Sequence, residues 1–180
     1  CYRFQLSWSR VCPQGDGPFN DEGIAFYDRF IDDLIARGIE PMICLYHFDM
    51  PLALAQEYNG FIDRRVMDAF IRYGKKMIDC FGDRVKYWLT FNEQNIFHMP
   101  EAFRISGYMK GDQTLRELYE LQHHTMVAHM ALTEYLHQTK PGQLMGGMLA
   151  HQLVYPATCK PRDIFCAQQY DEFLNQNLLR

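Results

Sequence analysis

Two places in this 180-residue sequence set a group able to move a proton beside a group able to hold a ligand. Asn92-Glu93 follows the apolar run Val85-Lys86-Tyr87-Trp88-Leu89, inside Thr90-Phe91-Asn92-Glu93-Gln94-Asn95. His47 follows Met42-Ile43-Cys44-Leu45, inside Tyr46-His47-Phe48-Asp49-Met50-Pro51. A carboxyl can give or take a proton while the neighbouring carboxamide holds a hydroxyl, and an imidazole can do either. In a parallel α/β barrel the C-terminal strand ends form the chemical face. Two strands that end in such residues point to an enzyme.

The elements that position these groups alternate. Tyr2–Trp8, Pro41–His47, Val85–Asn92 and Leu144–Ala150 read as strands, the last loosened by Gly146-Gly147. Asn20 or Asp21 offers a helix N-cap. After it, Ile24, Tyr27, Phe30, Ile31, Leu34 and Ile35 share one helix face. Gly38 sits where a left-handed C-terminal residue belongs, and Pro41 stops any continuation. Arg64–Phe81, Leu115–Gln138 and Pro161–Leu179 are the other helices, with Pro161 tolerated in a first turn. The long connections Val11–Phe19, Pro51–Asp63, Gln94–Thr114 and His151–Lys160 all follow strands, on the side of the polar strand ends.

Strand–helix alternation implies parallel pairing with right-handed crossovers. Four such units fit an open doubly wound sheet or half of an eight-fold barrel. A nucleotide-binding sheet needs a Gly-x-Gly-x-x-Gly turn after its first strand. Cys12-Pro13-Gln14-Gly15-Asp16-Gly17-Pro18 has two prolines and no such pattern, so the barrel is favoured.

Composition narrows the function classes. Hydrophobic residues make up 48% and aromatics 14%, which rules out a disordered chain. The net charge of −4 and the absence of a basic run leave no nucleic-acid footprint. No apolar stretch approaches the roughly 20 residues that cross a bilayer, and no leader peptide is visible. Six dispersed cysteines without a Cys-x-x-Cys pair suit reduced thiols, so a cytoplasmic location is expected. His123, His124 and His129 lack the four-residue spacing that sets two imidazoles on one helix face for zinc. Packing and capping explain them better, and neither a metal nor another cofactor is expected.

Several longer segments carry a resemblance. Tyr2-Arg3-Phe4-Gln5-Leu6-Ser7-Trp8-Ser9-Arg10-Val11, Asn20-x-x-Gly23-x-x-Phe26-Tyr27, Gly38-Ile39-Glu40-Pro41, Leu45-Tyr46-His47-Phe48-Asp49-Met50-Pro51 and Phe81-Gly82-Asp83-Arg84-Val85-Lys86-Tyr87-Trp88-Leu89-Thr90-Phe91-Asn92-Glu93 occur in this order. Together they resemble glycoside hydrolase family 1, the β-glucosidase and 6-phospho-β-glucosidase family. Gln5 departs from the family's usual Ser. The resemblance implies α/β architecture: residues 1–180 as one partial (β/α)8 TIM-barrel segment, matching strands two to five of a longer enzyme. The first strand and strands six to eight, with the nucleophilic Glu, would lie outside.

The resemblance also assigns roles. Retaining glycosidases use two carboxyl groups about 5–5.5 Å apart, one protonating the leaving oxygen and one attacking the anomeric carbon. Glu93 matches the acid/base, Asn92 the donor to the sugar 2-OH, His47 the partner of the 3-OH, and Arg3 the cation that keeps the nucleophile ionised. Three of them have a plainer rival: a strand-end carboxylate for Glu93, a half-buried imidazole for His47, any nearby acid as partner for Arg3. Asp49 is expected to cap the following turn. Trp8 and Trp88 read as core.

His47-Phe48-Asp49-Met50-Pro51 and Asn92-Glu93-Gln94-Asn95 are similar to the phospho branch, where plain β-glucosidases carry His-Trp-Asp-Leu-Pro and Asn-Glu-Pro. The expected ligand is therefore a small β-glucoside bearing a 6-phosphate. The alternatives are a plain β-glucosidase or β-galactosidase, or a silent scaffold that associates with a second copy or a missing half through open strand edges.

Overall fold

In the computed structural model, which describes residues 1–176, four strands form one sheet. They are β1 (Tyr2–Gln5), β2 (Pro41–Tyr46), β3 (Tyr87–Phe91) and β4 (Leu144–Gly146), ordered 1-2-3-4. Every neighbouring pair is parallel, with Arg3 opposite Met42, Ile43 opposite Trp88 and Tyr87 opposite Leu144. All four strands thus end on the same rim.

The helices run α1 (Trp8–Val11), α2 (Asp21–Ala36), α3 (Leu52–Tyr58), α4 (Arg64–Phe81), α5 (Glu101–Ile105), α6 (Leu115–Thr139) and α7 (Pro161–Asp171). Their ends follow local chemistry. Asn20 caps α2, its Oδ1 accepting from Glu22 N–H at 3.2 Å, and Gly38 takes the left-handed φ of 69° just past its end. Thr114 and Glu117 close a reciprocal capping box on α6. Arg84 spans two turns of α2, donating to Asp28 and Asp32 at 2.5 Å each, and so ties the entry to β3 onto the first long helix.

Several elements differ from expectation. β1 stops at Gln5 because Trp8 opens a short helix capped by Ser7. The connections Pro51–Asp63 and Gln94–Thr114 contain α3 and α5, as well as 3-10 turns at Gly60–Ile62 and Gln94–Ile96. β4 ends at Gly146, and at Gly147 a Cβ would lie 2.4 Å from Gln94 Oε1, so that position leaves no room for a side chain. The last helix is α-helical only to Asp171 and continues as a π-turn over Glu172–Gln176. Residues 177–179 of that expected helix lie outside the described residues.

Between sheet and helices sits an aromatic core. Phe70 of α4 lies 4.7 Å from Phe91, 5.4 Å from Trp8 and 5.7 Å from Phe61, ring to ring. Trp8 stacks on Tyr73 at 5.4 Å, and both tryptophans are buried. The Tyr73 hydroxyl lies between the carbonyls of Leu6 and Leu45, at 3.1 and 3.2 Å, so the core reaches up to the ends of two strands. Phe70→Ala should cost about 3–5 kcal/mol in urea unfolding, whereas Leu52→Ala, at an exposed helix start, should stay within about 0.5 kcal/mol. Equal effects at the two positions would show that stability does not reside in this aromatic cluster.

Candidate active site

The rim where the strands end collects the residues singled out from sequence. Tyr46 pairs with Phe91, and Asn92 N–H continues the ladder to the Tyr46 carbonyl at 2.8 Å. His47 therefore stands beside Asn92-Glu93. Asn92 is buried, Glu93 half-buried and His47 exposed on one side.

Arg3 lies lower, on β1, and its guanidinium climbs across the sheet. Nη2 passes Cys44 Sγ at 3.7 Å and donates to Asn92 Oδ1 at 2.6 Å. With Oδ1 so engaged, Nδ2 is the end of the amide left to donate to a ligand. Arg3 thus has a partner of its own, and that partner is an amide rather than an acid.

The electrostatics tie the same groups together. The His47 imidazole is held below the usual histidine range, first by partial loss of solvation and then by the Arg3 cation, while Glu93 pulls the other way. Three strands thus deliver Arg3, His47 and Glu93 to one small region.

Glu93 itself has a left-handed backbone, φ 50° and ψ 48°, and Phe48 after β2 does the same at φ 65°. A residue with a side chain pays roughly 1–2 kcal/mol to sit there. Such strain persists only where surrounding contacts over-determine it, and it clusters at working sites. Both residues occupy the same point in successive strand–helix units.

Sequence reasoning misplaced or missed some supports. Asp49 does not cap α3, whose N-cap is Pro51 without a side-chain bond. Its carboxylate instead accepts from Ser7 Oγ at 2.6 Å and Ser9 Oγ at 3.0 Å, pinning the turn after β2 to the one after β1. Ser7 and Ser9 flanking Trp8 were the available signal. Thr90 was also passed over; its hydroxyl meets His129 Nδ1 at 2.7 Å. His124 Nδ1 meets the Phe61 carbonyl at 2.7 Å, so two of the four α6 histidines have hydrogen-bond partners on other elements. Among the described residues, no three His, Cys, Asp or Glu side chains cluster as a metal site would require.

Comparison with known proteins adds the family context. The family model described as glycosyl hydrolase family 1 matches residues 1–179. The aryl-phospho-β-D-glucosidase BglC of Bacillus subtilis is 38% identical over 174 residues, which are 97% of this chain and 36% of BglC. The 6-phospho-β-glucosidase AscB of Escherichia coli is 38% identical over 172 residues, 94% of this chain and 36% of AscB. The β-glucosidase of Thermotoga maritima in complex with glucoimidazole superposes with a TM-score of 0.85 at 31% identity, over 97% of this chain and 39% of its own. This chain thus spans about a third of the length of those relatives, as the open four-stranded portion of a TIM barrel.

The shared rim can be tested by NMR titration of His47. Arg3→Met should raise the His47 pKa, because a nearby cation disfavours the imidazolium. Glu93→Gln should lower it further, because an anion is lost. A His47 titration that neither change moves would separate the three groups.

Proposed function

The chain belongs to glycosyl hydrolase family 1, and from that membership we propose that it forms part of a retaining β-glycosidase in which Glu93 is the general acid/base. The observation that carries this reading is the meeting of Glu93, Asn92, His47 and Arg3 at one rim of a parallel sheet. Glu93 protonates the departing glycosidic oxygen while a carboxylate from another part of the barrel attacks the anomeric carbon. Glu93 then takes a proton from the water that releases the sugar. Asn92, with Oδ1 held by Arg3, donates through Nδ2 to the sugar 2-OH, a contact that strengthens as positive charge develops. His47 binds the adjoining 3-OH. Arg3 adds positive charge where the nucleophile must stay ionised.

The substrate is a small β-glucoside bearing a 6-phosphate. Support comes from His47-Phe48-Asp49-Met50-Pro51 and Gln94-Asn95, which follow the phospho pattern, and from relatives named as phospho-β-glucosidases. The groups that grip the phosphate and the nucleophilic carboxylate come from chain beyond these four units. Turnover belongs to that longer protein, and residues 1–180 alone are silent. No helix among the described residues is long and apolar enough to cross a membrane. A cytosolic setting suits a phosphorylated substrate and six free thiols.

In the full-length protein, Glu93→Gln should lower kcat/KM by about 100- to 10,000-fold for alkyl glucosides, which need a proton on the leaving oxygen. It should spare dinitrophenyl glucosides, whose leaving group departs without one. Equal loss on both kinds of substrate would refute the acid role. Residues 1–180 alone should give no product from either, and turnover by them would overturn the proposed division of the site.

A further inference from the structure

The Gln94-Asn95 pair that follows Glu93 stays unexplained by this chemistry. Neither residue has a part in the proton transfer or hydroxyl contacts proposed above, yet Gln94 is 3% exposed and Asn95 is fully buried. Gln94 N–H donates to the Met148 carbonyl at 2.9 Å, and Met148 N–H returns to the Phe91 carbonyl at 3.2 Å. The Gln94 side chain donates to Met126 Sδ at 3.3 Å and fills the space left by Gly147.

One residue later a carboxamide takes over from the backbone. Asn95 Oδ1 accepts from Ala150 N–H at 2.8 Å, and Nδ2 donates to the Ala150 carbonyl at 3.0 Å and the Leu174 carbonyl at 2.9 Å. Asn175 repeats the pattern two residues on, accepting from Gln152 N–H at 3.0 Å and donating to the Gln152 carbonyl at 2.8 Å. Met148, Ala150 and Gln152 are alternate residues, as along one strand edge. Beyond the last regular pair of β4, side-chain amides thus stand in for a neighbouring strand. The result is a knot of Gln94-Asn95, the segment after β4 and the π-turn after α7.

We propose that Gln94 and Asn95 are positioning residues for Glu93, holding its left-handed turn in place by clamping the two residues after it to the segment that follows β4. The inference rests on the reading of Glu93 as the acid/base. A proline after the acid, as in the plain branch, fixes that residue through its ring. Here the same residue is fixed through an N–H that proline lacks.

The test is kinetic, in the full-length protein, with methyl and dinitrophenyl β-glucoside 6-phosphates. Asn95→Ala should lower kcat/KM for the methyl glucoside about 10- to 100-fold and move the alkaline limb of its pH profile, because a misplaced acid loses rate and changes pKa. The dinitrophenyl substrate should change little. Ala150→Pro removes one clamp bond outside the core and should repeat the selectivity at smaller size. Loss on both substrates alike, or an unchanged profile in both variants, would overturn the positioning role. Glu93→Gln run alongside separates the failures. If it is selective while Asn95→Ala is not, only the clamp is wrong; if it too is non-selective, the acid/base reading falls as well.

Discussion

The site depends on the register between β2 and β3. Tyr46 sits opposite Phe91, and the next bond of the ladder joins Asn92 N–H to the Tyr46 carbonyl. Side chains alternate faces along a strand, so a slip of one residue would turn Asn92 and His47 away from each other together. Phe70 helps lock that register. Its ring rests on Phe91 and lies 6.0 Å from the Tyr46 ring, at the level where the two strands end. The same aromatic contacts that bury the sheet therefore set the height at which its polar residues emerge.

Above that height, hydrogen bonds carry the order. Asp49 binds two serine hydroxyls from the preceding unit, Arg3 reaches Asn92 across β2, and Asn95 clamps the segment of the following unit. Each of these ties crosses from one strand–helix unit to another. The rim is a set of polar ties between units, with the left-handed Phe48 and Glu93 at its turns.

Much of the fold was legible because its signals are periodic. The face shared by Tyr27, Ile31 and Leu34 marked α2, and Asn20 and Gly38 marked its ends. The apolar runs before His47 and Asn92 marked β2 and β3 to within a residue or two. What escaped were features set by distant partners. Asp49 looked like a local cap, but the serines that bind it lie some forty residues earlier. β4 reads in sequence as running to Ala150, but its regular pairing stops at Gly146, and beyond it Met148 bonds to Phe91 and to Gln94 in the loop after β3. The short helices α3 and α5 are too brief to show a period. α7 was marked by Pro161 at its start, yet none of its residues is buried.

The exposure of α7 has a colloidal consequence. Phe165 and Tyr170 of α7 stand more than half exposed, with Leu153 and Tyr155 just before the helix and Met130 on α6. Apolar side chains left in water favour association between molecules unless electrostatic repulsion keeps them apart. A net charge of −4 is a thin barrier, and dissolved salt shortens its reach to about 8 Å at physiological ionic strength. The turbidity of this polypeptide should therefore be governed by salt as much as by protein concentration.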